Sequence, residues 1–311
     1  GDVGRTLVGA NAYLGIDAIL PAIETEADVV ITGRVADPSL FLAPIVAEYG
    51  WARDDWQRLG QGTMVGHLME CGMQITGGYF ADPGRKDVPR PGDCGYPIAE
   101  IDADGTAVIT KLRDAGGMVS LATVKEQLLY EVHDPSRYLT PDVTADFSTV
   151  RLTETEKDRV RVAQAGGTAR PEQLKVTVGF DGGLLAEAGV SYAGINAAAR
   201  ARLARDILAE RFDRMPGLAG GYRIDLIGLS SLHASAGVDA PETSRDVRVR
   251  VALRTMDRAR AEMVLWEVEA LLCCGPAGGG GYRGQITPGV VTYSAMIDRD
   301  RVAPTVRVLT A

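Results

Sequence analysis

The chain has 311 residues, of which 46% are hydrophobic and 24% charged, and its formal net charge is −8. This composition is typical of a globular protein long enough for two domains, and the acidic balance disfavours nucleic acid as a partner. The absence of an 18-residue apolar run, a signal peptide and a C-x-x-C pair predicts a cytoplasmic protein with reduced thiols and no membrane partner.

The first third of the chain alternates strand and helix patterns. A short apolar run at residues 6–11 predicts a buried strand, helical spacing follows at residues 16–23, and a β-branched run at residues 28–32 predicts a second strand. This order predicts a βαβ unit with parallel strands and a right-handed crossover. A second helix is predicted over residues 38–49, with Gly50 ending it.

Further elements follow as far as residue 132. The pattern predicts a helix at residues 63–74 and a loop rich in proline and glycine at 82–97. A hairpin around Asp104-Gly105 at 96–112 and another helix at 119–132 follow. These elements extend the α/β part of the chain, for which we predict a domain over residues 1–165.

The pattern of predicted elements changes after residue 170. Two apolar runs flank Asp181-Gly182-Gly183 and predict a hairpin over residues 174–192. The pattern then predicts an amphipathic helix at residues 195–212 and strands at 222–229 and 247–253. A helix capped by Asp257 is predicted at 258–274, and strands at 290–297 and 305–309 close the chain. We predict a second domain over residues 170–311, an α+β sandwich in which a sheet carries helices on one face.

Three segments of the first domain resemble a known family. They read A-N-A-Y-L-G at residues 10–15, T-G-R-V-A-D-P-S-L at 32–40, and G-H-L-M-E-C-G at 66–72, which T-G-G follows at 76–78. Their order and spacing resemble the acyclic terpene utilisation (AtuA-type) family of bacteria. G-Y-P-I-A-E at 95–100 and E-Q-L-L-Y-E at 126–131 fit the same pattern, and the resemblance covers most of the chain but weakens towards its C-terminus.

The resemblance implies a role near acyl-CoA metabolism. Such proteins are associated with the breakdown of citronellol- and geraniol-type acids, beside a biotin-dependent carboxylase, and the resemblance brings no agreed set of catalytic residues. Family members carry an N-terminal portion before the motif at Asn11, and this chain begins with Gly1 rather than Met. We therefore expect a fragment whose missing segment completes the parallel sheet.

Polar residues at the predicted strand ends are candidates for substrate binding, because ligands of parallel α/β sheets lie at the carboxyl ends of the strands. Arg34 offers a planar charged fork to a carboxylate or phosphate, and Asn11 offers a donor to a carbonyl or an oxyanion. Asp37 is a further candidate, although its position before Pro38 is also typical of a helix cap.

The candidates for catalysis are His67, Glu70 and Cys71, which share one face of the predicted helix. Three chemistries use this set. His67 is a general base oriented by Glu70, or Cys71 is a thiolate nucleophile activated by His67, or His67 and Glu70 bind a divalent metal together with a loop residue such as Asp82.

A structural interpretation of the same helix stays open. His67 is then a hydrogen-bonded core histidine and Cys71 a small buried hydrophobe. The flanking Gly66 and Gly72 favour function, because a glycine inside a helix costs about 1 kcal/mol relative to alanine unless a ligand or another backbone comes close.

The cofactor is left open by the sequence. The run Gly278–Gly281 with Arg283 after it has the composition of a loop that binds a phosphate or pantetheine group, but it lacks the P-loop residues, and we interpret it as a flexible connector. No nucleotide-cofactor motif is present, and a divalent metal is one alternative. His133, at a predicted helix end, and His233, which has no partner in its local sequence, are not candidates.

Two hypotheses follow from these features. The first is an enzyme of hydratase, lyase or hydrolase type that acts on an acyl-CoA or a branched carboxylic acid, with Arg34 and His67 in a single cleft. The second is a non-catalytic binding or accessory subunit that serves an acyl-CoA carboxylase pathway. Both imply a small-molecule acid or acyl-CoA as the partner, and both are compatible with a homo-oligomer.

Overall fold

The computed structural model describes residues 5–232 and 244–309, which form two compact units. The motif unit consists of the described parts of Asn11–Thr177 and Ser294–Ala311. The sandwich unit consists of the described parts of Gly1–Ala10 and Val178–Tyr293. His233 lies outside the described residues. Within the described ranges, no helix combines the length and the apolar character needed to cross a membrane.

The helices and strands follow one another along the chain in a mixed α/β order. They are β1 (Leu7–Ala12), α1 (Ile16–Ile23), α2 (Asp37–Tyr49), α3 (Trp56–Glu70), β2 (Pro97–Ile101), β3 (Ala107–Lys111), α4 (Leu121–Leu129), β4 (Tyr138–Leu139), β5 (Thr144–Asp146), β6 (Arg151–Glu156), β7 (Arg159–Ala163), β8 (Gly166–Thr168), β9 (Gln173–Ala193), α5 (Ala197–Arg214), β10 (Tyr222–Ile227), β11 (Asp246–Thr255), α6 (Arg258–Cys274) and β12 (Gly279–Asp298).

The sheets are antiparallel. The motif unit contains the strand orders β2-β3-β7-β6 and β4-β5-β8, and its core is built around α2 and α3, where Leu42, Met64 and Leu68 are fully buried. In the sandwich unit β9, β11 and β10 are neighbours, and β1 and β12 also pair with β9. Alternate residues of β11, among them Val249, are buried in a core shared with α5 and α6, whereas Arg250 on the opposite face pairs with acidic side chains.

The predicted parallel βαβ unit does not form. Residues 28–32 are not a strand, and only an isolated parallel bridge joins Leu14 to Val35. The reason is a lack of burial, because Val29 and Ile31 are 74% and 91% exposed. A strand of a parallel sheet is stabilised by hydrogen-bonded neighbouring strands and by elements packed on both of its faces. Within the described chain this segment has neither.

Helix α3 is longer than predicted. It begins at Trp56 rather than at residue 63, and the Asp55 carboxylate caps it by accepting a hydrogen bond from the Arg58 backbone N–H at 3.1 Å. Gly60 and Gly62 conceal this first half, since glycine weakens any helical pattern in a sequence. Both glycines lie at crossings, against β8 and against α2 respectively, where a side chain has no room.

The predicted hairpin over residues 174–192 was wrong. The segment forms one continuous strand, β9, through Asp181-Gly182-Gly183. The register of β11 covers only its second half, from Leu184 to Ala193, whereas the Asp181 N–H in the first half donates to the Thr6 carbonyl. The glycines therefore mark the point where the strand changes partners, and Gly183 takes a φ of +74° that favours glycine.

The glycine run was also misinterpreted as a flexible connector. It opens the long strand β12, which includes the strand predicted at residues 290–297. Gly279 lies so close to Tyr192 that an added Cβ would stand 3.2 Å from the tyrosine ring. Small residues at this point let the backbone of β12 approach its neighbour. Residues 305–309, predicted to be a strand, have no regular secondary structure.

Several predicted elements agree with the structure. Helix α2 ends at Gly50, whose φ of +60° is the left-handed conformation expected after a helix. The β2–β3 hairpin, α5 and β11 all form. Asp257 caps α6 by accepting a hydrogen bond from the Ala259 N–H at 2.9 Å. These elements share strong local signals, namely periodicity, a cap or a tight turn.

A buried carboxylate ties together the beginnings of two helices in the motif unit. Asp142 accepts hydrogen bonds from the Ile16 N–H of α1 at 2.8 Å and from the Ser39 hydroxyl of α2 at 2.5 Å. Burial is the main cause that raises the pKa of Asp142, and these two hydrogen bonds oppose it. The carboxylate therefore supplies acceptors that the two helix ends otherwise lack.

We expect Asp142→Ala to lower the free energy of unfolding by about 2 kcal/mol, because the substitution leaves the Ile16 N–H and the Ser39 hydroxyl buried without an acceptor. Asp142→Asn keeps an oxygen for the N–H and a donor for the hydroxyl, so it is expected to lose less than about 1 kcal/mol. Urea unfolding of both variants measures the difference. Equal losses in the two variants would contradict the proposed hydrogen-bonding role.

Candidate functional site

Helix α3 presents the acid–base pair of the site from its last turn. His67 and Glu70 are three residues apart, and the distance between His67 Nδ1 and Glu70 Oε1 is 2.9 Å. This spacing brings the two side chains to the same side of the helix, as the sequence predicts. The first expected contact of the catalytic set is therefore present.

His67 is buried among aromatic rings. Its side chain is 1% exposed, and its ring centroid lies 5.3 Å from that of Tyr138 and 5.7 Å from that of Phe147. Nε2 is enclosed and has no hydrogen-bond partner within the described chain. A proton on Nε2 would be a buried donor without an acceptor, which costs about 1–3 kcal/mol, so the geometry favours the tautomer with its proton on Nδ1.

Glu70, in contrast, reaches a cavity. Its side chain is 12% exposed and lines a cavity of about 410 Å³ in the motif unit. One carboxylate oxygen contacts His67, and the other, Oε2, has no hydrogen-bond partner among the described residues. Of the two residues, Glu70 lines the cavity and His67 does not, whereas the first sequence hypothesis takes His67 as the base.

The cavity combines charged, phenolic and apolar groups. Besides Glu70, its charged and phenolic lining consists of Asp37, Glu131, Lys175, Tyr13 and Tyr138. The apolar part of the wall is formed by Ala36, Pro38, Leu139, Pro141, Pro171, Leu174 and Met296. A mostly apolar pocket with a few polar groups is the usual form of a small-molecule site.

Two of the lining groups have shifted acidities. Burial is the main cause that raises the pKa of Glu70, the hydrogen bond from His67 opposes the shift, and the charges of Asp37 and Glu131 add to it. Burial likewise raises the pKa of the Tyr138 phenol, and Glu70 and Asp37 contribute further. Tyr138 therefore stays protonated as a hydrogen-bond donor, and Glu70 exchanges its proton closer to neutral pH than an ordinary glutamate does.

Asp37 lies at the start of α2 but does not cap it. The N-cap residue is Ala36, and no side chain makes a capping hydrogen bond there. The helix begins at Asp37 itself, and this residue is exposed and lines the cavity. The interpretation as a helix cap was wrong for this residue, and its carboxylate is available to a ligand.

The other strand-end candidates lie apart from this cavity. Arg34 lines a second cavity of about 480 Å³, and its guanidinium carbon is 5.2 Å from the centroid of the Tyr13 ring. Asn11 is exposed in β1 and lines neither cavity. Tyr13, which lines the first cavity, is thus the residue that links Arg34 to it. His67 itself lines neither cavity, so the structure does not place Arg34 and His67 in the single cleft that the sequence hypothesis expects.

Cys71 follows the last residue of α3 and lines a shallow groove with Tyr79 and Tyr96. Burial is the main cause that raises the pKa of its thiol, and the charges of Glu70 and Glu131 add to the shift. A raised pKa disfavours the thiolate form that a nucleophilic cysteine needs. The electrostatic surroundings therefore favour the acid–base chemistry of Glu70 over covalent catalysis by Cys71.

Arg283 belongs to the sandwich unit. It is exposed on β12, and its guanidinium donates to the carbonyl of its neighbour Tyr282 at 2.8 Å. The loop residue Asp82 forms an isolated bridge with Lys86. Across residues 5–232 and 244–309, no group of three or more His, Cys, Asp or Glu side chains is arranged to hold a metal ion.

The glycines that flank the trio have a structural explanation. A Cβ on Gly66 would stand 2.5 Å from the Pro38 carbonyl oxygen, so this glycine allows α2 and α3 to cross closely. Gly72 has a φ of +55° and packs against Tyr96. Of the two alternatives considered from sequence, approach of another backbone is therefore the one observed at Gly66.

Sequence reasoning missed part of the cavity. Tyr13 and Glu131 lie within segments that were recognised as characteristic, A-N-A-Y-L-G and E-Q-L-L-Y-E, so a signal was available for both. Tyr138 and Lys175 had no such signal, because they are more than 60 residues from His67 along the chain. Only the fold brings them to the same cavity.

Comparison with known proteins agrees with the motifs. A family model described as acyclic terpene utilisation family protein AtuA matches residues 1–308. No curated protein matches the chain significantly. The family match includes all three motif segments, which contribute Tyr13, Asp37 and Glu70 to the cavity. The chain therefore belongs to the acyclic terpene utilisation (AtuA) family.

Proposed function

We propose that this protein is an acid–base enzyme in the breakdown of acyclic terpenes, and that it acts on a branched carboxylic acid or its acyl-CoA thioester. The reaction is of hydratase, lyase or hydrolase type, since each of these needs a proton transferred to or from a positioned group. The family supports the pathway, and the cavity chemistry supports the reaction class.

The observation that carries this proposal is the state of Glu70. This residue lines the cavity, its Oε1 lies 2.9 Å from His67 Nδ1, and its Oε2 is enclosed without a hydrogen-bond partner within the described chain. Its pKa is raised mainly by burial. A glutamate with a fixed orientation and a raised pKa is typical of general acids and bases in enzymes.

Two further features suit an acyl substrate. Tyr138 remains a protonated donor beside Glu70, which suits a carbonyl oxygen or a developing oxyanion. The wall formed by Leu139, Leu174 and Met296 suits a branched hydrocarbon chain, and about 410 Å³ is a usual size for a small-molecule site. His67 is a positioning residue in this mechanism, because it reaches the substrate only through Glu70.

The proposal includes a cytoplasmic location, which agrees with the four free cysteines, and a homo-oligomer is compatible with it. Branched acids and their CoA thioesters are tested first by thermal shift and then by product analysis with mass spectrometry. We expect at least one of them to stabilise the protein and to be converted.

Ligand binding without conversion would instead favour the alternative of an accessory subunit for an acyl-CoA carboxylase pathway. A protein that none of these acids or thioesters stabilises would contradict both hypotheses. A parallel experiment removes bound metals with a chelator before the assay, which measures directly whether the reaction needs a divalent metal.

We expect Tyr138→Phe to lower kcat by about tenfold or more, since the phenol hydroxyl is the protonated donor beside Glu70. The ring contacts with His67 and Phe147 are kept by phenylalanine, so the stability should change little. Steady-state kinetics of Tyr138→Phe and of the exposed control Tyr79→Phe measure the effect. An unchanged kcat in Tyr138→Phe would exclude this residue from catalysis.

A further inference from the structure

A lysine that has no ionic partner within the described residues lies among the acidic residues of the cavity. Lys175 lines the same cavity as Asp37, Glu70 and Glu131. Its ammonium group nevertheless forms no ion pair within 4.0 Å and no hydrogen bond with the described residues, whereas Lys86 elsewhere in the motif unit pairs with Glu126 at 2.6 Å. The charge of Lys175 is therefore available to a ligand.

The position of this ammonium group is supported by an aromatic ring. Lys175 Nζ lies 5.3 Å from the centroid of Tyr13, and the Arg34 guanidinium carbon lies 5.2 Å from the same centroid. Both distances are within the range of a cation–π interaction. Arg34 also forms no ion pair with the described residues, so two unpaired cations contact one ring. Both cations add to the positive potential around Tyr13, which favours an anion at Lys175.

The acidic groups of the cavity do not prevent an anion from binding at Lys175. Burial raises the pKa of Glu70, which disfavours its charged form, and Tyr138 carries no charge. An anion at Lys175 would thus meet less repulsion than the number of carboxylates implies. The apolar wall with Leu139 and Met296 belongs to the same cavity and suits the hydrocarbon part of the ligand.

We propose that Lys175, supported by Tyr13 and Arg34, binds the anionic end of the substrate and makes the site selective for negatively charged acyl compounds. This inference rests on the proposed function and adds the recognition element that it lacks. The anion is the free carboxylate of a branched acid or a phosphate of its CoA thioester, and both would make charge-assisted hydrogen bonds with the ammonium group.

Three probes distinguish the two sources of the anion. Citronellic acid carries a carboxylate, its CoA thioester carries phosphates, and its N-acetylcysteamine thioester carries no charge. Isothermal titration with the whole chain compares the wild type with Lys175→Met and Lys175→Arg. Lys157→Met is the matched control, because Lys157 is exposed in the turn between β6 and β7 and lines none of the cavities described above.

We expect Lys175→Met to weaken binding of the charged probes by about 10- to 100-fold, since it removes a charge-assisted hydrogen bond. Lys175→Arg should retain most of the affinity, and Lys157→Met should not change it. Binding of the neutral thioester should be the same in all four proteins. A loss confined to the acid assigns the carboxylate, and a loss confined to the CoA thioester assigns the phosphate.

The inference is overturned if Lys175→Met binds the charged probes as the wild type does, if it loses the neutral probe equally, or if the wild type binds no charged probe. These results are independent of turnover. Selective loss of charged probes in Lys175→Met, together with normal turnover in Glu70→Gln, would support the anion site and contradict the proposed acid–base reaction.

Discussion

Glu70→Gln is expected to lower kcat by about 100- to 10,000-fold, the usual contribution of a general acid or base. Glutamine keeps the shape of the side chain and an oxygen for the hydrogen bond from His67 Nδ1, but it cannot transfer a proton. The fold should be unaffected, because the carboxylate ties no other element in place. Steady-state kinetics of the variant measures kcat, and thermal unfolding measures its stability.

The exposed residue Glu154 on β6 supplies the matched control. Glu154→Gln removes the same charge from the motif unit at a position that does not line the cavity, so kcat should remain within about twofold of the wild type. A Glu70→Gln enzyme that keeps its full rate on a converted substrate would remove Glu70 from the mechanism, whatever the ligand.

The pH dependence of the rate tests the same residue in the wild type. Since the pKa of Glu70 is raised above the ordinary value of 4.5, the limb of the kcat/KM profile that it controls should lie above pH 4.5. The rate falls with rising pH through this limb if Glu70 acts as an acid, and it rises if Glu70 acts as a base. The limb should be absent from Glu70→Gln.

His67→Phe separates the positioning role from a purely structural one. Phenylalanine fills the space between Tyr138 and Phe147 but lacks the hydrogen bond that lowers the pKa of Glu70. The limb should therefore move to higher pH in this variant, whereas loss of packing alone would lower stability without moving it. His67→Gln retains a donor and should shift the limb less.

Stability should depend on pH in the direction set by burial. The folded-state pKa of Glu70 lies above its unfolded value, so the folded state binds more protons. The contribution of Glu70 to stability is then fully present below the unfolded pKa and is lost as the pH rises through the folded pKa. Unfolding measured across this range should show a smaller decline for Glu70→Gln than for the wild type.

The acid–base pair was accessible from sequence because it is local. His67 and Glu70 are one helical turn apart, and this spacing alone places them together. Which of the two lines the cavity was not accessible, since that depends on Tyr138 and Phe147, about 70 to 80 residues further along the chain. The sequence therefore predicts the pair but not the direction in which it works.

The fold shows the same division between local and distant causes. Helix α6 with its Asp257 cap was predicted, because the cap and the periodicity lie within the segment. Residues 28–32 have the composition of a strand but not its pairing, and pairing depends on another segment. Asp181-Gly182-Gly183 has the composition of a hairpin turn, yet the pairing of β9 with other strands keeps the chain extended.

The short strands between residues 138 and 168 are the largest part of the fold that was not predicted from sequence. Strands β4, β5 and β8 have only two or three residues each, too few to show an alternating pattern. Their contribution is nevertheless central to the site, because Tyr138 begins β4 and lines the cavity. Short strands are fixed by what packs on them, here α3 with its paired glycines, and no single segment contains that information.

The contact between α3 and β8 gives the largest expected effect on stability. A Cβ on Gly60 would stand 2.0 Å from the Gly166 carbonyl oxygen and 2.4 Å from its carbon. Helix propensity alone predicts that Gly60→Ala stabilises the protein by about 1 kcal/mol. The clash involves backbone atoms on both sides, so it cannot be relieved by rotating a side chain, and overpacking of this kind costs about 3 kcal/mol or more.

We therefore expect Gly60→Ala to lower the melting temperature of the motif unit by roughly 6–12 °C. Gly62→Ala should lower it less, because its nearest neighbour is the flexible Leu42 side chain at 2.6 Å. Gly92→Ala has nothing within 4 Å and is the control. If calorimetry gives Gly60→Ala the same melting temperature as Gly92→Ala, α3 and β8 do not pack at this distance. The placement of Tyr138 beside His67 would then lose its support.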